Sequence, residues 1–289
     1  MIHENIKKIT AVDGHVMTMK IYSPTNAAFH ESNCDGVILA VHGLTEYAER
    51  YRNVAEFTCQ KNKIFANFDS RGHGYHAKKR GDVENFSCFI LDIIQAFKTL
   101  KNFFPQIKNN SFAIFGHSFG GLLATYTASI LADELKHLFL CAPGYASKQK
   151  IPSWKVLLAN NVAQLFPRLS VPIGFKQENL SNNSTNNLLY KNDPLILTHL
   201  TARFGKILLD AMSEQPVQAA LENVTADVTL LLPSDDKIVD LNVIRNNIKS
   251  LKTSATICEV EGAGHEIFNE GPDLQKIAFS HYEKWLEKI

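Results

Sequence analysis

Six consecutive residues, Gly116-His117-Ser118-Phe119-Gly120-Gly121, constrain this chain more than any other stretch. They follow the continuous apolar run Phe112–Phe115 and precede the helical pattern Leu122–Asp133, so a strand must become a helix within a few residues. A turn that tight leaves no room for side chains at its flanking positions, and glycine supplies that room. The serine between them is lifted above the sheet edge at a helix N-terminus, where backbone N–H groups can stabilise a developing oxyanion. Gly-x-Ser-x-Gly in this setting predicts a nucleophile at Ser118, with the backbone amide of Phe119 as one oxyanion donor.

A serine hydroxyl is a weak nucleophile at neutral pH and needs a histidine base oriented by a carboxylate. Gly262-Ala-Gly-His265 follows the strand-like Ala255–Glu261, which makes His265 the candidate base. His42, His73 and His117 sit inside tight glycine motifs and His137 precedes a strand, positions suited to structural hydrogen bonds. The acid belongs after the preceding strand, where Val228–Leu232 runs into Pro233-Ser-Asp235-Asp236-Lys-Ile-Val-Asp240. Asp235, Asp236 and Asp240 all qualify, and whichever is not used reads as a turn or cap residue. A second oxyanion amide is expected from the loop after an early strand, at Leu44 in Val41-His42-Gly43-Leu44. This set predicts acyl transfer of the ester type with no metal and no organic cofactor. His73, His76 and Asp69 share a loop, but its glycines read as a turn rather than a metal site.

Short apolar runs alternate with helical stretches through most of the chain, the pattern of an α/β sheet. Val37–Val41, Phe112–Phe115, Leu138–Ala142 and Val228–Leu232 read as central strands and His15–Tyr22 as an outer one. Helices are expected at Tyr47–Lys61, Phe86–Phe104, Phe119–Asp133, Leu241–Leu251 and Pro272–Glu287. Between Tyr145 and about Asn223 strand signals vanish and Pro152, Pro167, Pro172, Pro194 and Pro216 punctuate helical segments. The nucleophile lies before this interruption and the acid and base after it. Residues 1–144 and 224–289 are therefore expected to form one catalytic core, with 145–223 inserted as a helical cap. Trp154, Leu157, Leu158, Val162 and Leu165 fall on one helical face, which predicts packing on the chain's own core or a face offered to lipid.

With 45% hydrophobic and 20% charged residues the chain is globular rather than disordered. Thirty basic against 29 acidic residues leave a net charge of +1, which argues against nucleic acid and against bulk attraction to anionic lipid. Lys78-Lys79-Arg80 is a local basic cluster, read as a solvated face or a contact for an anionic head group. Cys34, Cys59, Cys88, Cys141 and Cys258 are scattered and form no Cys-x-x-Cys pair, as expected for reduced thiols in a cytoplasm. No stretch approaches the roughly 18 consecutive apolar residues of a membrane span.

Taken together the motifs resemble the α/β-hydrolase group of monoacylglycerol lipases, lysophospholipases and serine aminopeptidase-like hydrolases. The residues that carry the resemblance are His42-Gly-Leu-Thr-Glu-Tyr-Ala-Glu-Arg-Tyr51, Asp69-Ser-Arg-Gly-His-Gly74 with Arg80-Gly81, Gly116–Gly121, Asn192-Asp-Pro-Leu195, Asp236-Lys-Ile-Val-Asp240 and Gly264-His265. The resemblance implies an eight-stranded, mostly parallel sheet with a helical cap after the sixth strand, and favours Asp236 as the acid. It also implies hydrolysis of single-chain lipid esters of monoacylglycerol or lysophospholipid type, with the cap meeting a membrane surface from the soluble side. Thr45 and Tyr47 depart from the Gly and His common in the group, and Pro233 stands where glycine is common. The rival readings are an aminopeptidase-like exopeptidase, a small-ester or thioester hydrolase, and a ligand-binding sensor that retains the triad. An exopeptidase would need an acidic pocket for an ammonium group, for which Glu178, Asp193, Asp210, Glu214 and Glu222 are the candidates. Oligomeric state is not legible in the sequence.

Overall fold

Strand side chains alternate between two faces, so a strand apolar at every position must be covered on both. The central strands of this chain meet that demand. The computed structural model describes residues 2–24, 34–149, 152–174 and 176–289, without the side chains of Ser153, Trp154, Lys155, Leu157 and Gln177. In chain order its first elements are β1 (Ile2–Thr10), β2 (Val16–Pro24), β3 (Val37–Val41), α1 (Arg52–Gln60), β4 (Ile64–Phe68), α2 (Phe86–Phe103), β5 (Phe112–His117), α3 (Phe119–Leu131) and β6 (His137–Cys141). Next come α4 (Ser153–Leu165), β7 (Ser170–Pro172), α5 (Ser184–Asn192), β8 (His199–Thr201), α6 (Ala202–Ala211) and α7 (Glu214–Leu221). The chain closes with β9 (Asp227–Pro233), α8 (Leu241–Asn247), β10 (Ala255–Val260) and α9 (Pro272–Leu286).

Eight strands form one sheet in the order β1-β2-β4-β3-β5-β6-β9-β10. The β1–β2 and β2–β4 pairs are antiparallel and every pair from β4 onward is parallel. Val37, Leu39 and Val41 of β3 point into one core with α2, α3, α7 and α8, while Ile38 and Ala40 point into the other with α1 and α9. The same alternation sends Ile114 and Leu140 to the first core and Phe115 and Phe139 to the second. There Phe115, Phe139, Phe268, Tyr282 and Trp285 form an aromatic cluster, with Phe115 and Phe139 stacked 5.5 Å apart.

Several elements differ from the sequence reading. Ile64–Phe68 forms a fully buried strand although Asn67 interrupts its apolar run; the amide Nδ2 of Asn67 donates to the Ala48 carbonyl at 2.7 Å. Ile2–Thr10 is an edge strand whose polar residues hide its pattern. Among its described residues the interruption after Tyr145 contributes no strand to the large sheet, yet it is not wholly helical. β7 and β8 pair there as a small antiparallel sheet, too short to show an alternating pattern. Among the described side chains of helix α4, Ala163 is buried and Val162 half-buried, whereas Leu158 and Leu165 of the expected face are 53% and 73% exposed, followed by Phe166 at 63%. Trp154 and Leu157 of that expected face lie outside the described side chains. No helix among the described residues is long and apolar enough to cross a membrane.

Trp285, 1% exposed at the end of α9, closes the second core against Phe139 and Tyr282. Replacing it with alanine is expected to cost about 3–5 kcal/mol, read as a lower urea midpoint. A change under about 0.5 kcal/mol, the size of a surface substitution, would contradict this packing.

Candidate active site

The parallel strands end on one edge of the sheet, and the loops that follow β3, β5, β9 and β10 meet there, as open α/β sheets gather their sites. Ser118 stands between β5 and α3 with φ 52° and ψ −120°, in the positive-φ region that side-chain-bearing residues rarely adopt. Its N–H donates to the Cys141 carbonyl at 2.9 Å, and its own carbonyl accepts from Gly144 N at 2.8 Å. The flanking glycines are sterically required. A Cβ on Gly116 would lie 2.5 Å from the Gly120 carbonyl oxygen, and one on Gly120 would lie 2.1 Å from that of Val41.

His265 follows β10 and its Nδ1 lies 2.8 Å from Asp236 Oδ2. The other carboxylate oxygen of Asp236 accepts from the N–H groups of Ile238 and Val239 at 2.7 and 2.9 Å. Both side chains are buried. Burial works against ionisation of Asp236, but the charge and hydrogen bond of His265 and the two backbone donors outweigh it and hold the carboxyl below its usual value. The neighbouring candidates are occupied elsewhere. Asp235 is exposed and pairs with Lys237 at 3.3 Å, while Asp240 caps α8 by accepting from Asn242 N at 3.0 Å.

The loop after β3 is aimed by two histidines that sequence reasoning assigned to structural hydrogen bonds. His42 Nε2 accepts from Ser70 N at 2.9 Å, so its proton sits on Nδ1, 2.8 Å from the Gly43 carbonyl oxygen. In a trans peptide the N–H points away from its carbonyl, so holding the Gly43 oxygen fixes the direction of the Leu44 N–H. His73 places Nε2 beside the Leu44 carbonyl and Nδ1 2.8 Å from that of Arg71. Burial, then the neighbouring His42, push its imidazole down to about 3, so it stays neutral and satisfies one of those carbonyls at a time. Phe119 opens α3, and a first-turn N–H has no acceptor within its own helix. Leu44, Ser118, Phe119 and His265 all line one cavity.

Behind these loops lies a group of buried charges that the sequence reading missed. Glu46 Oε2 accepts from Gly43 N at 3.1 Å and the Tyr51 hydroxyl at 2.6 Å, and lies 3.2 Å from His117 Nδ1. His117 Nε2 lies 3.1 Å from the His265 carbonyl oxygen. Arg50 donates to Glu46 Oε1 at 3.1 Å and to Glu266 Oε2 at 2.5 Å. Burial opposes the charge on both Glu46 and His117, yet each favours the ionised form of the other; Glu46 falls well below its ordinary value and His117 rises above its own. Glu266 is raised by burial and by Glu46, and its Oε1 is buried with no hydrogen-bond partner among the described residues. The available signal was a carboxylate placed directly after His265 in a glycine-rich loop.

The cavity has a volume of about 260 Å³. Residues of the insertion supply much of its apolar wall, namely Ile173, Leu180, Leu208, Leu209 and Met212, and Ile238 and Val239 extend it beside Asp236. Polar lining comes from Glu46, Ser147, Gln149, Lys237 and Glu266. None of Glu178, Asp193, Asp210, Glu214 and Glu222 lines it: Asp193 accepts from the Tyr47 hydroxyl at 2.7 Å, Asp210 pairs with Lys206, and Glu214 accepts from Gln218 at 3.0 Å. Of the basic cluster, Arg80 donates to the Pro194 carbonyl at 2.7 Å and so joins its loop to the insertion. Asp69 of the same loop accepts from Ala48 N at 2.8 Å.

Because the Asp236 carboxyl is depressed in the folded chain, the stability it contributes is complete above its ordinary value of 3.8 and is lost as pH falls through the folded value. The stability difference between the wild type and Asp236→Asn is therefore expected to shift against the wild type as pH falls from 5 to below about 4. Denaturant midpoints across that range measure it; a difference independent of pH would contradict the geometry.

The model of the family described as serine aminopeptidase, S33 matches residues 32–272. Human monoglyceride lipase is 26% identical over 99% of this chain and 91% of its own length. The crystal structure of the monoacylglycerol lipase of Paleococcus ferrophilus superposes with a TM-score of 0.79 at 26% identity, covering 99% of both chains. A soluble variant of monoglyceride lipase from Saccharomyces cerevisiae, solved with a substrate analogue, shares the fold with a TM-score of 0.83 at 17% identity, covering 99% of this chain and 95% of that one. Strand order, elbow and sequence likeness converge, and the chain belongs to the serine aminopeptidase, S33 family, within the α/β-hydrolase group of the monoacylglycerol lipases.

Proposed function

We propose that this carboxylic-ester hydrolase cleaves esters of single-chain lipids, of monoacylglycerol or lysophospholipid type, through an acyl-enzyme on Ser118. The observation that carries the reading is the single cavity in which Ser118 and His265, the latter bonded to buried Asp236, meet an apolar wall built by the insertion. Ser118 attacks the ester carbonyl as His265 takes the hydroxyl proton, and the oxyanion forms against the N–H groups of Leu44 and Phe119. His265 returns the proton to the departing alcohol, and Asp236 steadies the imidazolium without itself accepting a proton. Water activated by His265 then releases the fatty acid and restores Ser118.

Residues 145–223 act as the cap. Their apolar side chains at Ile173, Leu180, Leu208, Leu209 and Met212 suit an acyl chain. The exposed Leu158, Leu165, Phe166 and Leu169 suit transient contact with a lipid surface. An ester is favoured over an aminoacyl peptide because the acids expected at an ammonium site stand away from the cavity, and the two that line it, Glu46 and Glu266, both take the Arg50 guanidinium as their cation.

Purified wild type is expected to turn over long-chain monoacylglycerol faster than acetyl esters or aminoacyl amides, and Ser118→Ala to lose both turnover and fluorophosphonate labelling. Faster cleavage of the amides, or unchanged labelling in the variant, would defeat the assignment, and single-turnover behaviour would favour a sensor. With substrate dispersed in phosphatidylcholine vesicles, Phe166→Asp is expected to slow turnover several-fold while leaving a soluble short-chain ester unaffected. Equal rates on vesicles would remove the surface contact.

A further inference from the structure

The loop that carries the Leu44 amide is gripped from two sides. Upstream, His42 holds the Gly43 carbonyl. Downstream, the partners come from the cap: the Thr45 hydroxyl bonds the Tyr190 hydroxyl, the Thr45 carbonyl accepts from Leu197 N at 3.0 Å, and the Tyr47 hydroxyl donates to Asp193 Oδ2 at 2.7 Å. Thr45 and Tyr47, where the sequence reading noted departures from residues common in the group, are each matched by a polar partner in the cap. The cap side is itself rigid. Tyr190 is 1% exposed and packs with Leu180 and Ile196, while the Arg50 guanidinium sits 4.8 Å from its ring centre and bonds Glu46 and Glu266. Asp193 Oδ1 accepts from Leu195 N at 2.8 Å, which fixes the carboxylate toward Tyr47.

We propose that Tyr190 and Asp193 are positioning residues for the oxyanion amide of Leu44, so that the seating of α5 against the loop sets the quality of the hole. The inference rests on the acyl-transfer reading and on Leu44 as a donor. An oxyanion donor acts through its preorganised direction, and a loop residue keeps that direction only while its neighbours are fixed on both sides. Neither Tyr190 nor Asp193 lines the cavity, so loosening them removes no contact with the bound ester. The effect therefore falls on kcat rather than on KM.

Tyr190→Phe removes one hydroxyl and keeps the ring under Arg50, and Tyr47→Phe breaks the second contact at a half-buried site. Each is compared with wild type on a long-chain ester and on the thionoester whose carbonyl oxygen is replaced by sulfur, a poorer hydrogen-bond acceptor. Melting temperature is recorded alongside. Each variant is expected to lower kcat on the oxygen ester roughly 5- to 30-fold, less than the roughly 100- to 1,000-fold that outright loss of a donor costs. KM should stay within about twofold, and the preference for the oxygen ester over the thionoester should shrink by a factor similar to the fall in kcat. Wild-type kcat and preference in both variants would overturn the proposal, as would losses that follow melting temperature with the preference unchanged. A wild type that turns over neither ester fails the acyl-transfer reading instead. Fluorophosphonate labelling rates then decide the positioning role: slower labelling of Tyr190→Phe supports it and equal rates overturn it.

Discussion

Helix α3 approaches the end of β3 so closely that a Cβ on Gly120 would stand 2.1 Å from the Val41 carbonyl oxygen and 2.6 Å from that of His42. Only a residue without a side chain permits that approach, and the approach brings the loop carrying Leu44 beside Ser118. The same crowding leaves Ser118 at φ 52°, a conformation that costs of order 1–3 kcal/mol and persists because its surroundings over-determine it. Bonds from Ser118 N to Cys141 and from Gly144 N to the Ser118 carbonyl supply that restraint. The height of Ser118 above the sheet, the first-turn amide of α3 and the nearness of the second loop thus share one steric cause.

Around this contact the chain registers its loops with buried charge. Glu46 belongs to the loop after β3, His117 to the end of β5 and Glu266 to the loop after β10, and Arg50 joins the two acids. Removing such groups from water costs several kcal/mol apiece unless each is paired, so the cluster tolerates few arrangements other than the one in which its bonds are made. Its bonds end on Gly43 N and on the His265 carbonyl, which ties the loop carrying Leu44 to the loop carrying His265 through His117, the residue preceding Ser118. Stability and site geometry are therefore coupled here more tightly than hydrophobic packing alone would require.

Much of this was legible in the amino-acid sequence where residue type and backbone geometry are bound together. The elbow could be read because only glycine fits at 116 and 120, and His265 as a candidate because it follows a strand; strand order left Asp235, Asp236 and Asp240 open, and the resemblance to the group favoured Asp236, the one that His265 meets. β4 was not legible, since a buried Asn67 serving the Ala48 carbonyl looks like an interruption of an apolar run. Nor was the face of α4: helical periodicity reports that an apolar stripe exists but not whether protein covers it, and Leu158 and Leu165 stay exposed. The Glu46–His117–Arg50–Glu266 cluster was hidden because its members are distant in sequence and a carboxylate beside a motif gives no sign of its partner. Thr45 and Tyr47 stood out as departures, and their meaning lay in Tyr190 and Asp193, more than 140 residues away.

The proposed reaction passes through a covalent acyl intermediate on Ser118 formed from a single-chain lipid ester. Its most direct measurement is rapid acid quenching of the enzyme during turnover of a long-chain monoacylglycerol, followed by peptide mass spectrometry. The peptide containing Ser118 is expected to gain the mass of the fatty acid less one water, and the adduct to build up in His265→Ala or Asp236→Asn only as slowly as their turnover allows. Acylation at another residue, or turnover with no acyl adduct at Ser118 under conditions where deacylation is rate-limiting, would contradict it.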